Sequence, residues 1–146
     1  MTAFKPRNPD WEAITRATID RQPIVHTMGM RLTAIEPGFV ELRMRVDPRY
    51  AQHHGYTHAG VVSMLADNAG GFAALTLMPA GAEVLAVEFK INLMAPAKGE
   101  EMIARARVVK SGRTLTVSSI EVAMVDGGRE VDNALMQQTC IALMPE

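Results

Sequence analysis

One carboxylate stands by itself in the middle of this chain. Between Arg49 and Glu83 the only formally charged residue is Asp67, in the run QHHGYTHAGVVSMLADNAGGFAALTLM from Gln52 to Met78, among Val61, Val62, Met64, Leu65, Phe72 and Leu75. Removing an ionised acid from water is costly, so either a partner holds Asp67 or it does chemistry. Three histidines precede it, His53, His54 and His58, but no Cys or Glu accompanies them at ligand spacing, and no metal is expected. Ser63 lacks the Gly-x-Ser-x-Gly turn of a nucleophile elbow and reads as a small residue in a crowded helix. Cys140 has no His or Asp at a recognisable spacing and reads as a packing residue of a terminal strand.

The elements that must position Asp67 follow from periodicity and breakers. From about Ala59 the composition is helical and apolar on nearly every side, and Met78-Pro79-Ala80-Gly81 stops it, so a central helix is expected near 59 to 78. Gly70 and Gly71 each cost that helix about 1 kcal/mol against alanine, which points to a close approach by a sheet or a second subunit. Upstream, Asn8-Pro9-Asp10 reads as a helix start with Asn8 as N-cap. Trp11, Ile14, Ala17 and Thr18 supply an amphipathic face that ends before Pro23.

The remainder reads as strands and turns. A strand is expected near Ile24 to Ile35, then a turn at Glu36-Pro37-Gly38, then Phe39 to Val46, where Val40, Leu42, Met44 and Val46 alternate with Phe39, Glu41, Arg43 and Arg45. Val84 to Met94 alternates with Leu85, Val87, Phe89, Ile91 and Leu93 on one face. Met102 to Lys110 and Thr114 to Val125 flank a hairpin at Ser111-Gly112-Arg113, and Val131 to Met144 follows Asp126-Gly127-Gly128 with weaker alternation. One long apolar helix and about six hairpin-linked strands need mutual cover, which a curved antiparallel sheet around the helix provides. The fold class is therefore α+β, with a short N-terminal helical extension over 1–23, a core over 24–146, and a single domain over 1–146.

Composition excludes several classes. The 146 residues carry 15 basic against 16 acidic side chains with no basic patch, which argues against nucleic acid as a partner. Asp67, Asn68, Gly70 and Gly71 near the middle of the apolar run argue against a membrane span. With one cysteine and a start, MTAFKPRNPDW, that has neither an apolar core nor a cleavage site, a cytoplasmic protein is expected. Most of the eleven methionines, among them Met28, Met30, Met64, Met78 and Met94, read as core fillers rather than the wall of an acyl tunnel.

Gln52-x-x-Gly55-x-x-His58-Ala59-Gly60, followed by Leu65-Ala66-Asp67-Asn68-Ala69, resembles the signature of the hotdog-fold acyl-CoA thioesterases, in particular the phenylacetate-degradation type and its 4-hydroxybenzoyl-CoA relatives. Lys90-Ile91-Asn92 before Ala95-Pro96-Ala97, and Lys110-Ser111-Gly112-Arg113-Thr114, also look like that family, and the likeness runs from about Met28 to Leu143. The resemblance implies a hotdog fold, a homodimer with two shared active sites that sometimes pairs into a tetramer, no cofactor, and hydrolysis of an aromatic or medium- to long-chain acyl-CoA.

It also implies roles. The backbone N–H of Ala59, with Gly60 beside it, lies at a helix N-terminus, where unpaired N–H groups and the helix dipole favour a developing oxyanion. Asp67 is then the general base for water, or the nucleophile that forms a mixed anhydride. Burial is expected to raise its pKa, opposed by nearby helix N–H groups. Gln52 orients the water or the thioester, and His58 holds the loop by hydrogen bonding. Arg113 is the expected phosphate contact for CoA, with Ser111, Gly112, Lys110 and, further back, Lys98 around it.

The chain departs from the family at Ala59, where Gly is usual, at Ala86, near a Ser or Thr that assists the water in some relatives, and at Gly71, where some carry Thr. Asn68 or a tyrosine such as Tyr56 is the expected substitute helper, or the reaction runs without one. Two rivals share the scaffold. A hydratase or dehydratase of enoyl or hydroxyacyl thioesters pairs a catalytic His with the acid, but the proline-rich loop that usually follows that His is missing here. A non-catalytic acyl-CoA-binding module has no need of Asp67.

Overall fold

The computed structural model describes residues 4–145. Helices α1 (Trp11–Arg21) and α2 (Pro23–Thr27) precede strands β1 (Arg31–Glu36) and β2 (Phe39–Arg45), and a 3-10 turn at Pro48–Tyr50 leads toward helix α3 (Ala59–Leu75). The chain ends with β3 (Glu83–Leu93), β4 (Glu101–Ser111), β5 (Leu115–Asp126) and β6 (Arg129–Leu143). All strand pairings are antiparallel, in the order β1-β2-β4-β5-β6-β3. The sheet curves around α3, which packs against β2 through β6. This is the curved sheet and central helix expected of the hotdog fold.

Alternation decides which face of the sheet meets the helix. Val40, Leu42 and Met44 of β2, Met102, Ala104 and Ala106 of β4, Ile120, Val122 and Met124 of β5, and Ala134 and Met136 of β6 form one buried cluster with Val62, Leu65, Ala69 and Phe72 of α3. On the outer face of β2 and β4, Glu41 bridges Arg43 and Arg105, and Arg105 also pairs with Glu130. Gly127 and Gly128 both take positive φ, 58° and 78°, the backbone that a two-residue type I′ connection requires between β5 and β6.

Several expectations are corrected. The segment from Ile24 does not begin a strand: Pro23 occupies the first position of α2, where its fixed φ suits a helix, and Val25 turns into the core. The first strand begins only at Arg31. The N-cap of α1 is Asp10, not Asn8, because the Asn8 side chain closes a turn one step earlier by accepting the Asp10 N–H at 2.9 Å. The buried residues of α1 are Thr15 and Ile19, while Ile14 and Ala17 face outward.

Helix α3 stops at Leu75, short of Met78. Buried Thr76 donates to the Ala73 carbonyl at 2.6 Å and accepts the Gly38 N–H at 2.8 Å, which ties the helix end to the β1–β2 turn. In β3 the regular alternation is broken by a bulge between Ala86 and Glu88. The residues paired with the inward Ala134, Met136 and Gln138 are Leu93, Ile91 and Phe89, whereas Leu85 pairs with Ile141 on the other face.

The two helix glycines have different reasons. A Cβ on Gly70 would lie 2.0 Å from the Gln138 Oε1 and 3.0 Å from Ile120 Cδ1, so this is where α3 presses on the sheet. A Cβ on Gly71 would meet nothing within 4 Å. Gly70→Ala is expected to destabilise the fold by about 2 kcal/mol, since overpacking outweighs the gain in helix propensity. Gly71→Ala is expected to be neutral or stabilising by up to about 1 kcal/mol. Denaturant midpoints of the two variants check this, and equal midpoints would contradict it.

Candidate active site

The loop before α3 is built by short-range hydrogen bonds. Ala51 and Thr57 form an isolated antiparallel bridge, the Gln52 N–H donates to the Tyr56 carbonyl at 2.8 Å, and the Gly55 N–H donates to the Gln52 carbonyl at 2.9 Å. The Gln52 side-chain carbonyl accepts the His54 N–H, so its amide NH₂ remains the free end. The His58 N–H donates to the Tyr50 carbonyl at 2.9 Å, and its ring Nδ1 accepts the Gly60 N–H at 2.9 Å. His58 is thus the N-cap of α3, and that bond places its ring proton on Nε2.

This capping also separates the two N–H groups expected at the helix start. Gly60's is taken by His58, whereas Ala59's has no partner among the described residues. Among the described residues no non-glycine φ is positive, so alanine stands at position 59 without strain. Gly60 is constrained differently, because a Cβ there would sit 3.0 Å from His58 Nδ1.

Ala59, Gln52, Tyr56, His58 and Val62 line a cavity of about 720 Å³ with Leu93, Met94 and Asn133. That size is suited to a small-molecule ligand. Thr57 and Asn133 were not singled out from sequence. Both are buried there, and the Asn133 side chain donates to the Ala95 carbonyl at 2.6 Å, which fixes the wall of the cavity.

Asp67 lies elsewhere. It lines a second cavity of about 300 Å³ with Gln22, Ile24, Met64, Asn68, Gly71, Phe72, Val84 and Ala86. The N-terminal helical segment therefore supplies one wall, through Gln22 and Ile24. Burial raises the pKa of Asp67, against a lowering contribution from a hydrogen bond donated by the Gln138 side chain. The same Gln138 amide donates to the Asp67 main-chain carbonyl at 3.2 Å.

Gln138 is the residue that reading the sequence missed. Its signal was present in the alternation Ala134, Met136, Gln138, Cys140, which puts a polar side chain on the core face of β6. Asn68 donates to the Met64 carbonyl at 2.9 Å and stays beside the acid, while Tyr56 belongs to the other cavity. Ala86 and Gly71, the two departures from hydroxyl-bearing relatives, both line the Asp67 cavity. No hydroxyl of α3 or β3 stands beside the acid within this chain's cavity lining.

Within one chain, then, the parts expected to cooperate are apart. Ala59 and Asp67 lie eight positions apart, about 12 Å along the helix, and each lines its own cavity. Ser111, Gly112 and Arg113 with Lys110 line neither; their hairpin lies by the C-terminal end of α3, where Arg7 links the Leu77 and Gly112 carbonyls. Of the methionines considered for an acyl tunnel, Met94 lines the Ala59 cavity and Met64 the Asp67 cavity, while Met30 and Met78 are buried in the core. Among the described residues no helix is long and apolar enough to cross a membrane.

A curved antiparallel sheet around one apolar helix, with a free N–H at the helix start and a half-buried acid two turns on, defines a hotdog protein of the thioesterase kind. Residues 54–131 match the family described as the Thioesterase superfamily, and the chain belongs to that family. It is similar to a thioesterase family protein from Silicibacter pomeroyi, at 44% identity and a TM-score of 0.91 over 92% of this chain and 99% of that one. The PaaI protein of the phenylacetic acid degradation operon of E. coli shares the fold, with a TM-score of 0.82 at 20% identity over 94% of this chain and 96% of that one. Acyl-coenzyme A thioesterase 13 of Homo sapiens is 34% identical over 92 residues, 62% of this chain; the match spans 65% of the length of that relative.

Proposed function

We propose that the protein is a cytoplasmic acyl-CoA thioesterase that hydrolyses an aromatic or medium- to long-chain acyl-CoA to the free acid and CoA, and that it works as a homodimer with two shared sites. The observation that carries this reading is the pairing of an unpartnered Ala59 N–H at the start of α3 with a desolvated carboxylate further along the same helix. Acyl transfer needs both: a fixed donor for the carbonyl oxygen as it gains charge, and a group that delivers oxygen to the carbon. Gln52, with its free amide beside Ala59, orients the incoming carbonyl or water.

Separation of the two groups within a chain favours the dimer. So does the sheet edge. β3 is an 11-residue edge strand on which Val87, Phe89 and Leu93 are 55%, 46% and 51% exposed, an apolar edge of the kind that natural proteins cover. Two copies of β3 paired antiparallel about Phe89 would set Glu88 of each against Lys90 of the other, a favourable cross-strand pair. On this proposal the helix start of the second copy completes the site at the Asp67 cavity. In this arrangement the Lys110, Ser111, Gly112 and Arg113 hairpin serves the CoA phosphates, and pairing of two dimers gives the tetramer.

The hydratase reading needs a histidine free to exchange protons beside the acid. Within the chain no histidine lines the Asp67 cavity and His58 is committed to capping α3, but in the dimer His53 and His54 would arrive with the helix start, so the enoyl-CoA assay separates the two readings. The experiment is free-thiol detection over a panel of aromatic and straight-chain acyl-CoAs, run beside an enoyl-CoA followed by its absorbance. Thiol release is the expected result. Loss of the enoyl absorbance without thiol release would overturn the proposal, and tight binding without turnover would identify a binding module.

A further inference from the structure

Gln138 occupies a place where an apolar side chain would cost less. It is fully buried on the helix-facing side of β6, between Met136 and Cys140, and its Oε1 has no hydrogen-bond partner. Its register partner on β5, Ser118, is likewise buried with an unpartnered Oγ. A buried polar pair with unpartnered oxygens is uncommon in a protein core and asks for a reason.

The amide is nevertheless tightly engaged at its other end. Nε2 donates to both the Oδ1 and the main-chain carbonyl of Asp67, so one donor group grips the side chain and the helix backbone together. Helix α3 makes room for this contact by omitting a side chain at Gly70, where a Cβ would lie 2.0 Å from Gln138 Oε1. The contact thus has a built seat: a strand residue reaching inward, a helix glycine cleared for it, and an acid at its tip.

We propose that Gln138 is the positioning residue of the Asp67 carboxylate, fixing Oδ1 against the sheet so that Oδ2 is the oxygen offered to the cavity. The chemistry it serves rests on the thioesterase reading; the contact itself does not. A carboxylate held by one oxygen loses rotational freedom before the substrate arrives, which is how a site keeps its reacting atom in line. Hydrogen bonding to the charged form also favours ionisation, opposing the effect of burial.

The groups facing Asp67 make a titration readable. From β6 come Gln138 and Cys140, whose thiol is pushed up to about 11 by burial first and by the Asp67 charge second. From α3 come Met64, Asn68 and Gly71, from β3 Val84 and Ala86, and from the α1–α2 junction Gln22 and Ile24, none of which titrates. Below the range in which the Cys140 thiol ionises, Asp67 is therefore the titrating group of this cavity among the described residues of the chain.

The test uses the intact protein and two substitutions. Gln138→Met keeps the length and removes the donor, and Gln138→Glu keeps the size and replaces the donor with a second acid. The Asp67 titration is followed by carbon-13 NMR of labelled aspartate, assigned with Asp67→Asn, and the pH dependence of kcat/KM is measured in parallel. In Gln138→Met the Asp67 midpoint is expected to rise by about 1 pH unit, so that the acid limb of kcat/KM moves to higher pH by the same amount. kcat falls about 10-fold with KM within about twofold.

In Gln138→Glu two carboxyls share the seat, and the upper midpoint rises further than in Gln138→Met. An Asp67 midpoint unmoved in either folded variant overturns the inference, and Gln138→Glu carries the test should Gln138→Met fail to fold. Thiol release by the unaltered protein decides the thioesterase reading separately, because the NMR titration needs no substrate.

Discussion

Asp67→Asn is expected to lose at least about 10²-fold in kcat for acyl-CoA hydrolysis while keeping its fold, the scale of a lost general base. The substitution is nearly isosteric, and its amide oxygen can still accept from Gln138 Nε2, so the seat on β6 survives. On the proposed function, what disappears is the charge that would deprotonate water or attack the carbonyl. Stability should not suffer. Burial raises the pKa of Asp67 in the folded state, so the folded chain binds more protons than the unfolded one between the ordinary carboxylate value, about 4, and the raised folded value. The contribution of Asp67 is therefore fully present below that window and is lost as pH rises through it. Asn has no such dependence, so near neutral pH the variant should be at least as stable as the unaltered chain.

Thiol release measures the first effect, and denaturant unfolding at pH 4 and pH 8 measures the second. Activity of Asp67→Asn equal to that of the unaltered protein would assign the acid a structural role. A stability gain for Asn that is larger at pH 4 than at pH 8 would contradict the sign argued here.

Ala59→Pro is expected to cost about 10²- to 10³-fold in kcat, the loss seen when one oxyanion donor is removed. Proline deletes the N–H and little else. Ala59 is the first residue of α3, where proline is favoured and where the missing N–H lies outside the helical ladder. The preceding residue, His58, already has φ −60° and ψ 139°, in the extended region that a residue before proline prefers. The fold should therefore stay within about 1 kcal/mol of the original. Ala59→Gly, which keeps the N–H, should keep activity within a few-fold, because position 59 does not use positive φ. Full activity in a folded Ala59→Pro would mean that the carbonyl oxygen is held elsewhere.

The two inactive variants also report on one another. If each site takes Ala59 from one subunit and Asp67 from its partner, a heterodimer of Asp67→Asn and Ala59→Pro has one intact site of two. Random mixing gives half heterodimers, so co-refolding should recover roughly a quarter of the original activity. Recovery absent from a mixture that forms heterodimers would place both groups of a site in the same chain.

Much of this was legible before the fold was seen. Alternation in Phe39 to Val46 predicted which side of β2 is buried, the solitary charge in the central helix drew attention to Asp67, and the spacing from Gln52 to Gly60 marked the loop that leads into α3 through its His58 cap. Errors fell where local preference and packing compete. Ile24 and Val25 suggest a strand by type, yet Pro23 starts a helix and the core accepts Val25 from it. In β3 the bulge at Val87 resets the alternation, a displacement set by pairing with β6 and invisible in the strand's own residues.

By itself, then, the sequence determined the central helix, the approximate number of strands and the chemical types at the site, because these depend on periodicity and on contacts within a few residues. Only the tertiary structure decided that Gln138 grips Asp67, that Gly70 is cleared for it, and that the free N–H and the acid open on separate cavities. The physical reason is separation along the chain. Asp67 and Gln138 lie 71 residues apart, and no local rule couples them until the sheet closes around the helix.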